Sequence, residues 1–248
     1  MSTERKNGNG NGGDLGKPIE TMQQVPIEVR FADLEKDAEA IANIWNQPKV
    51  IEHLAGVAPA LTKRDITKFR ANITQYIPLM PNITPEGLKD LARGIIMATP
   101  TEIKAHYAEL RNVELYVAVL EGKVVGTATL VKPDAGKRWG TISKVAVSSE
   151  APKVIESSKH GKGIARSLIR FIDNRMFNEL GYTGAEVTVI QGVEGELGPK
   201  YLFMREGYSG ANELVGVSLG WDNHEERFVP RNSYRMQRVQ SLQNPDRV

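Results

Sequence analysis

The stretch Lys159–Phe171, KHGKGIARSLIRF, sets two glycines two residues apart and then runs directly into an amphipathic pattern. Ile164, Leu168, Phe171, Ile172 and Met176 recur on one face of a helix, with Arg166, Arg170 and Asn174 on another. The start of a helix carries backbone N–H groups without intrahelical partners, at the positive end of the aligned peptide dipoles. Gly161 and Gly163 remove the Cβ atoms that would hold a ligand's phosphates away from those amides. Lys159, His160 and Lys162 add positive character. The chemistry open to this combination is anion binding, and a diphosphate suits it. A plain turn with a helix cap accounts for the same glycines.

Two common nucleotide loops do not fit. A dinucleotide fingerprint needs a third glycine where Arg166 stands, and a P-loop needs Ser or Thr where Gly163 follows Lys162. Other chemistries are excluded by composition. The chain has no cysteine, so disulfides, thiolate nucleophiles and Cys-ligated metals are absent. His53, His106, His160 and His224 are scattered without paired ligand spacing, which predicts no metal site. A formal net charge of +2 over 248 residues, with no block of Lys and Arg, argues against nucleic acid. No apolar run approaches the roughly 20 residues of a membrane span, and the first residues lack the apolar core of a signal peptide. A cytoplasmic protein is the expectation.

The elements that must hold the glycine stretch in place follow from periodicity. Residues 1–25, which include MSTERKNGNGNGGDLGK, are rich in Gly and Asn and predict a disordered tail, with one folded domain over 26–248. Ile27, Val29 and Phe31 alternate as a strand, and Asp33 or a nearby residue caps a helix carrying Ala38, Ile41, Ala42 and Trp45. Residues 60–112 read as a proline-punctuated helical block, with Ile95 and Ile96 in its second helix and Pro100 or Thr101 opening the third. LYVAVLEGKVVGTATLV is a hairpin about Glu121–Gly122–Lys123, and WGTISKVAVSS is the next strand. After the glycine stretch come a helix to about Glu179, the strand Gly184–Ile190, a short helix over Pro199–Glu206 and a final antiparallel pair. The fold class is α/β, with a mixed, mostly antiparallel sheet flanked by helices.

A strand ending VAV, a loop, HGKGIA and a helix together resemble the acetyl-CoA-binding core of the GNAT superfamily of acyltransferases. Their phosphate loop reads Arg/Gln-x-x-Gly-x-Gly/Ala, and His160-Gly161-Lys162-Gly163-Ile164-Ala165 matches at the last Gly and the Ala, with His leading. The family's Leu-Tyr-x-x-x-Gly-Phe has a counterpart in Leu202-Phe203-Met204-Arg205-Glu206-Gly207-Tyr208. The resemblance covers Val113–Tyr208 by motif and Ile27–Trp45 by pattern. It implies that the main chain at Val145 and Val147 pairs with the pantetheine arm of acetyl-CoA, the co-substrate, and that His160 to Ala165 hold its pyrophosphate.

The same resemblance implies transfer of an acetyl group to an amine, on a small molecule or a protein. The family's proton-donating Tyr falls on Phe203, which has no proton to give, so Tyr201 becomes the candidate acid. No carboxylate stands at Gly140–Ser143, where some members carry a base. Glu150 is the nearest acid, with Glu114 and Glu196 further away. These departures favour a second reading, an acyl-CoA-binding sensor or interaction module without catalysis. The helical block is expected to line an acceptor pocket, with Tyr76, Met80 and Tyr107, to form a homodimer face, or to pack in its own small core.

Overall fold

Apolar alternation builds the centre of the molecule as a sheet, and capping residues decide where helices interrupt it. The computed structural model of the protein describes residues 26–60, 95–151, 162–190 and 199–240. The tail over 1–25 and residues 61–94 of the expected helical block lie outside the described residues. In chain order, β1 (Glu28–Phe31) leads to α1 (Leu34–Trp45), α2 (Pro48–Ile51), β2 (Val57–Ala58), β3 (Ile96–Met97) and α3 (Pro100–Glu109). Then come β4 (Val113–Leu120), β5 (Lys123–Val131), β6 (Trp139–Val147) and α4 (Lys162–Asn174), which runs into a π-helical turn, Arg175–Glu179. β7 (Gly184–Ile190), α5 (Lys200–Arg205), β8 (Ser209–Asp222) and β9 (Arg227–Val239) follow.

Local chemistry sets these boundaries. The Asp33 carboxylate accepts from the Glu35 N–H at 3.1 Å to start α1, and Thr99 does the same for Glu102 N–H at 3.2 Å, with Pro100 in the first turn of α3. Glu121 and Gly122 both have positive φ, 50° and 76°, as a two-residue turn between right-twisted strands requires.

Among the described residues the main sheet has seven strands in the order β1-β4-β5-β6-β7-β9-β8. Every neighbouring pair is antiparallel except β6 with β7. A parallel pair needs a crossover, and the segment carrying α4 supplies it. One face of the sheet is covered by α1, α2, α3 and the β2–β3 pair, around Trp45, Leu54, Ile96, Ile103 and Phe228. The other is covered by α4 and α5, around Leu168, Ile172, Met176 and Phe203. This is the mixed, mostly antiparallel α/β fold expected from the sequence.

One expectation is corrected. Ile96 is not helical, and Ile95 lies just before a strand: β3 pairs parallel to β2, Val57 with Ile96 and Ala58 with Met97. The run Ile95–Ala98 is buried throughout. A short, wholly apolar segment carries no period with which to tell helix from strand. The block's third helix, α3, forms as expected. Its Tyr107 ring lies tilted against Trp45 with centroids 6.3 Å apart, in the core shared with the sheet and not in a separate one.

Candidate active site

The sheet opens at its parallel pair. β6 and β7 are paired from Trp139 with Gly184 to Ile142 with Val187, and there the ladder stops. Beyond it β6 is held only by β5, through Thr127 with Ala146 and Gly126 with Val147. β7 is held there only by β9, up to Ile190 with Ser233. The facing edges of Ser143–Val147 and Thr188–Ile190 thus have no ladder partner among the described residues. The cause is a bulge. Between the pairs Thr129 with Ser143 and Thr127 with Ala146, two residues, Lys144 and Val145, stand opposite the single Ala128. Lys144 takes up the extra length at φ 49°. Buried threonines buttress the kink: Thr129 Oγ1 donates to the Ser143 carbonyl at 3.0 Å, and Trp45 Nε1 donates to Thr127 Oγ1 at 2.9 Å.

The glycine-bearing helix starts over this opening. A Cβ placed on Gly126 would lie 2.8 Å from Ile164 Cγ2 and 3.1 Å from the Ala146 carbonyl, so the first turn of α4 rests on the last residues of β6. At the other end Met176 Sδ stands 2.6 Å from the corresponding point on Gly140. α4 therefore runs antiparallel to β6, its amino end at the parted end of the strands. The first turn of α4 carries no acidic residue to occupy the dipole's positive end.

Of the residues expected to hold a pyrophosphate, Gly163, Ile164 and Ala165 lie in this first turn, with Ile164 buried. Lys162 begins the helix. His160 and Gly161 lie outside the described residues. Val145 and Val147 sit on the unpaired stretch of β6, their side chains packed towards α4.

Lys144 points the other way, towards α3. Its charge is close enough to depress His106, which burial already holds below the ordinary histidine value. Burial lowers the Lys144 ammonium itself from 10.5 to about 8, although the residue keeps partial access to solvent. Sequence reasoning passed over Lys144, yet a signal existed: Ile142 and Val145 share one face of the strand three residues apart, where a regular strand needs an even interval.

A stability prediction follows. At pH 7 Lys144 is protonated in the folded and unfolded chain alike, so the whole cost of burying its charge weighs on the fold. Between pH 8 and 10.5 the unfolded chain binds the extra proton, and stability recovers as pH rises. Lys144→Met is expected to stabilise the protein at pH 7 by on the order of 1–3 kcal/mol. Urea unfolding should show the gain shrinking towards pH 10.5.

The proposed proton carriers are placed as follows. Tyr201 is 69% exposed on α5, while Phe203, at the family's Tyr position, is 2% exposed and packs edge-on against Tyr208. Glu150 is exposed just beyond β6. Its turn is tied to the end of α1 by Gln47, which accepts from Ser149 N–H at 2.7 Å and donates to Ser148 Oγ at 3.0 Å. Glu114 is no free base. Burial would raise its carboxyl, but Arg175, Tyr116 and Lys132 surround it and hold it below the usual range. Glu196, Tyr76 and Met80 lie outside the described residues.

The second motif works as a brace. Glu206 is buried between Arg166, which donates through Nε, and Arg170 at 2.8 Å, so α5 is clamped to α4. Tyr208 donates to Asp173 at 2.6 Å, and Arg238 reaches the other carboxylate oxygen at 2.5 Å. Burial still pushes Asp173 up to about 6. A hollow of about 840 Å³ adjoins these groups, lined by Arg170, Asp173, Phe177, Arg205 and Arg238 among others. It lies at the far end of α4, roughly 12 Å or more from the first turn at 1.5 Å per residue, and is not the cleft between β6 and β7.

The strand order of the main sheet, its single parallel pair among the described residues and the crossover helix define a GNAT-like α/β fold. Residues 91–193 match the model of the acetyltransferase (GNAT) family. Its fold is similar to that of a probable GNAT-family acetyltransferase from Chromobacterium violaceum, at 14% identity and a TM-score of 0.51, covering 86% of this chain and 87% of that one. It is also similar to spermidine N-acetyltransferase from Vibrio cholerae, solved with CoA and spermine, at 17% identity and a TM-score of 0.49, covering 86% and 95%. The PaiA N-acetyltransferase from Thermoplasma acidophilum, solved with coenzyme A, aligns at 10% identity and a TM-score of 0.46, covering 86% and 99%. A search of curated proteins finds no match. No helix among the described residues is long and apolar enough to cross a membrane.

Proposed function

We propose that this protein transfers an acetyl group from acetyl-CoA to the nitrogen of an amine. One observation carries the reading: the parallel strands part at Ile142 and Val187, and the first turn of α4 stands over the gap with Gly163 in it. The free edge of β6 offers main-chain groups at Val145 and Val147 to the amide-bearing pantetheine arm. The amides of the first turn, from Lys162 to Ala165 and with His160 and Gly161 before them, suit its pyrophosphate. The family match over 91–193 supports the same substrate.

Acetyl-CoA, when bound, supplies a thioester already activated for attack. The acceptor nitrogen bonds to the carbonyl carbon as the carbon–sulfur bond breaks; the amine's proton is shed and the thiolate leaves to be protonated. Glu150, at the mouth of the cleft, is the candidate to receive that proton, and Tyr201 the candidate to supply the thiolate. Both side chains are exposed. Tyr201→Phe is expected to lower kcat by about 100-fold with the KM for acetyl-CoA unchanged; an unaltered kcat removes Tyr201 from the reaction.

The reading is tested by calorimetric titration with CoA beside an assay of thiol release from acetyl-CoA with a panel of amines. Binding together with amine-dependent release is the expected result. Binding with no release on any amine would favour the sensor reading that Phe203 raises, and no CoA binding would overturn both.

A further inference from the structure

Two costs gather at Lys144. Its backbone is held at φ 49°, a region that an L-residue with a side chain enters only under constraint. Its ammonium is partly desolvated, and no carboxylate among the described residues forms an ion pair or hydrogen bond with it. Its titratable neighbour on α3, His106, is held below the ordinary histidine value by burial and supplies no counter-charge. An unpaired, half-buried charge weighs against a fold. This one is kept where β6 leaves its parallel partner, on the face of the sheet opposite α4. The phosphate-binding groups therefore stand on one side of the sheet and Lys144 on the other, towards α3.

We propose that Lys144 recognises an anionic group on the acceptor, so that the acceptor is an amine bearing a carboxylate, of amino-acid type, and not a polycation. This rests on the acetyl-transfer reading above and names its substrate class. A carboxylate brought in by the acceptor supplies the counter-charge that the fold withholds, through a charge-assisted hydrogen bond. It also fixes the acceptor's orientation, leaving the amine free to face the thioester. A linear polyamine brings like charge towards Lys144 and is disfavoured for the same reason.

The test compares the twenty amino acids, their carboxamides and spermidine as acceptors, with wild type, Lys144→Met, Lys144→Arg and Lys144→Glu. The wild type is expected to favour at least one amino acid over its carboxamide by about 10-fold or more in kcat/KM. Lys144→Met should raise the KM for that amino acid by about 30-fold and leave turnover of the carboxamide within about 3-fold. Lys144→Arg should keep part of the preference, and Lys144→Glu should shift it towards spermidine. Equal use of amino acids and carboxamides by the wild type, a preference for spermidine, or a preference that survives Lys144→Met overturns the proposal.

If no amine is acetylated, the acetyl-transfer reading fails by itself. Calorimetry of the same amino acids with the CoA-loaded protein then decides the role of Lys144. Binding that Lys144→Met abolishes upholds it; absence of binding, or binding indifferent to the substitution, ends it.

Discussion

Gly163→Glu will bind CoA at least roughly 100-fold more weakly than the wild type while folding as well or better. A carboxylate set about 5 Å from a phosphate opposes it by about 3 kcal/mol at an effective dielectric constant of 20, or about 100-fold in affinity. The new side chain also fills the approach that glycine leaves open. The fold pays no such penalty. Gly163 is the second residue of α4, where a negative charge meets the positive end of the helix dipole and where replacing glycine gains about 0.5–1 kcal/mol of helix propensity. Lost affinity with undiminished stability is therefore a signature of an anion cradle. A plain turn predicts unchanged CoA binding, and a structural glycine predicts a weakened fold. Calorimetric titration with CoA and thermal unfolding of the same sample separate the three.

Gly126→Val is expected to damage both properties together. The first added carbon would already stand 2.8 Å from Ile164 Cγ2, 3.1 Å from the Ala146 carbonyl and 3.2 Å from Leu168 Cδ1. Ile164 and Leu168 are buried, and the carbonyl belongs to the strand that forms one wall of the cleft, so no partner has room to retreat. Overpacking of this kind costs about 1–3 kcal/mol. Relief comes by lifting the first turn of α4, which moves the amides away from the end of β6. Urea unfolding should show the loss of stability, and the KM for acetyl-CoA should rise by about 10-fold or more. A destabilised variant with normal affinity would mean that the first turn does not position the ligand.

Most of the scaffold was legible because its elements are long enough to display a period. Gly184–Ile190 and the hairpin about Glu121–Gly122 are buried, β-branched runs bounded by turn residues, and they form as read. The pair β2–β3 was not legible. Two residues have no period, and their partners lie 39 positions apart in the chain. The candidate site divides in the same way. Its glycines announce themselves by type, since few local structures need two so close together. Lys144 announces itself only through a slipped phase between Ile142 and Val145, and its neighbours arrive from α3, which local sequence does not place. Tyr201 and Phe203, two positions apart on α5, fall on different faces of that helix, one exposed and one buried.

The hairpin of β8 and β9 reaches back to the beginning of the domain. Gly56 N–H donates to the Leu219 carbonyl at 3.0 Å, Arg231 donates to the Glu52 carbonyl at 2.8 Å, and Asn223 donates to that of Pro48 at 3.0 Å. These contacts join residues made early in translation to residues made some 170 positions later. Trp221 and Phe228 complete the packing around α1 and α2, so a nascent chain keeps that apolar surface uncovered until the hairpin emerges from the ribosome. Chains halted before Trp221 are expected to need chaperones, and the last stage of folding to be slow, because the longest loop must close before its contacts repay the entropy.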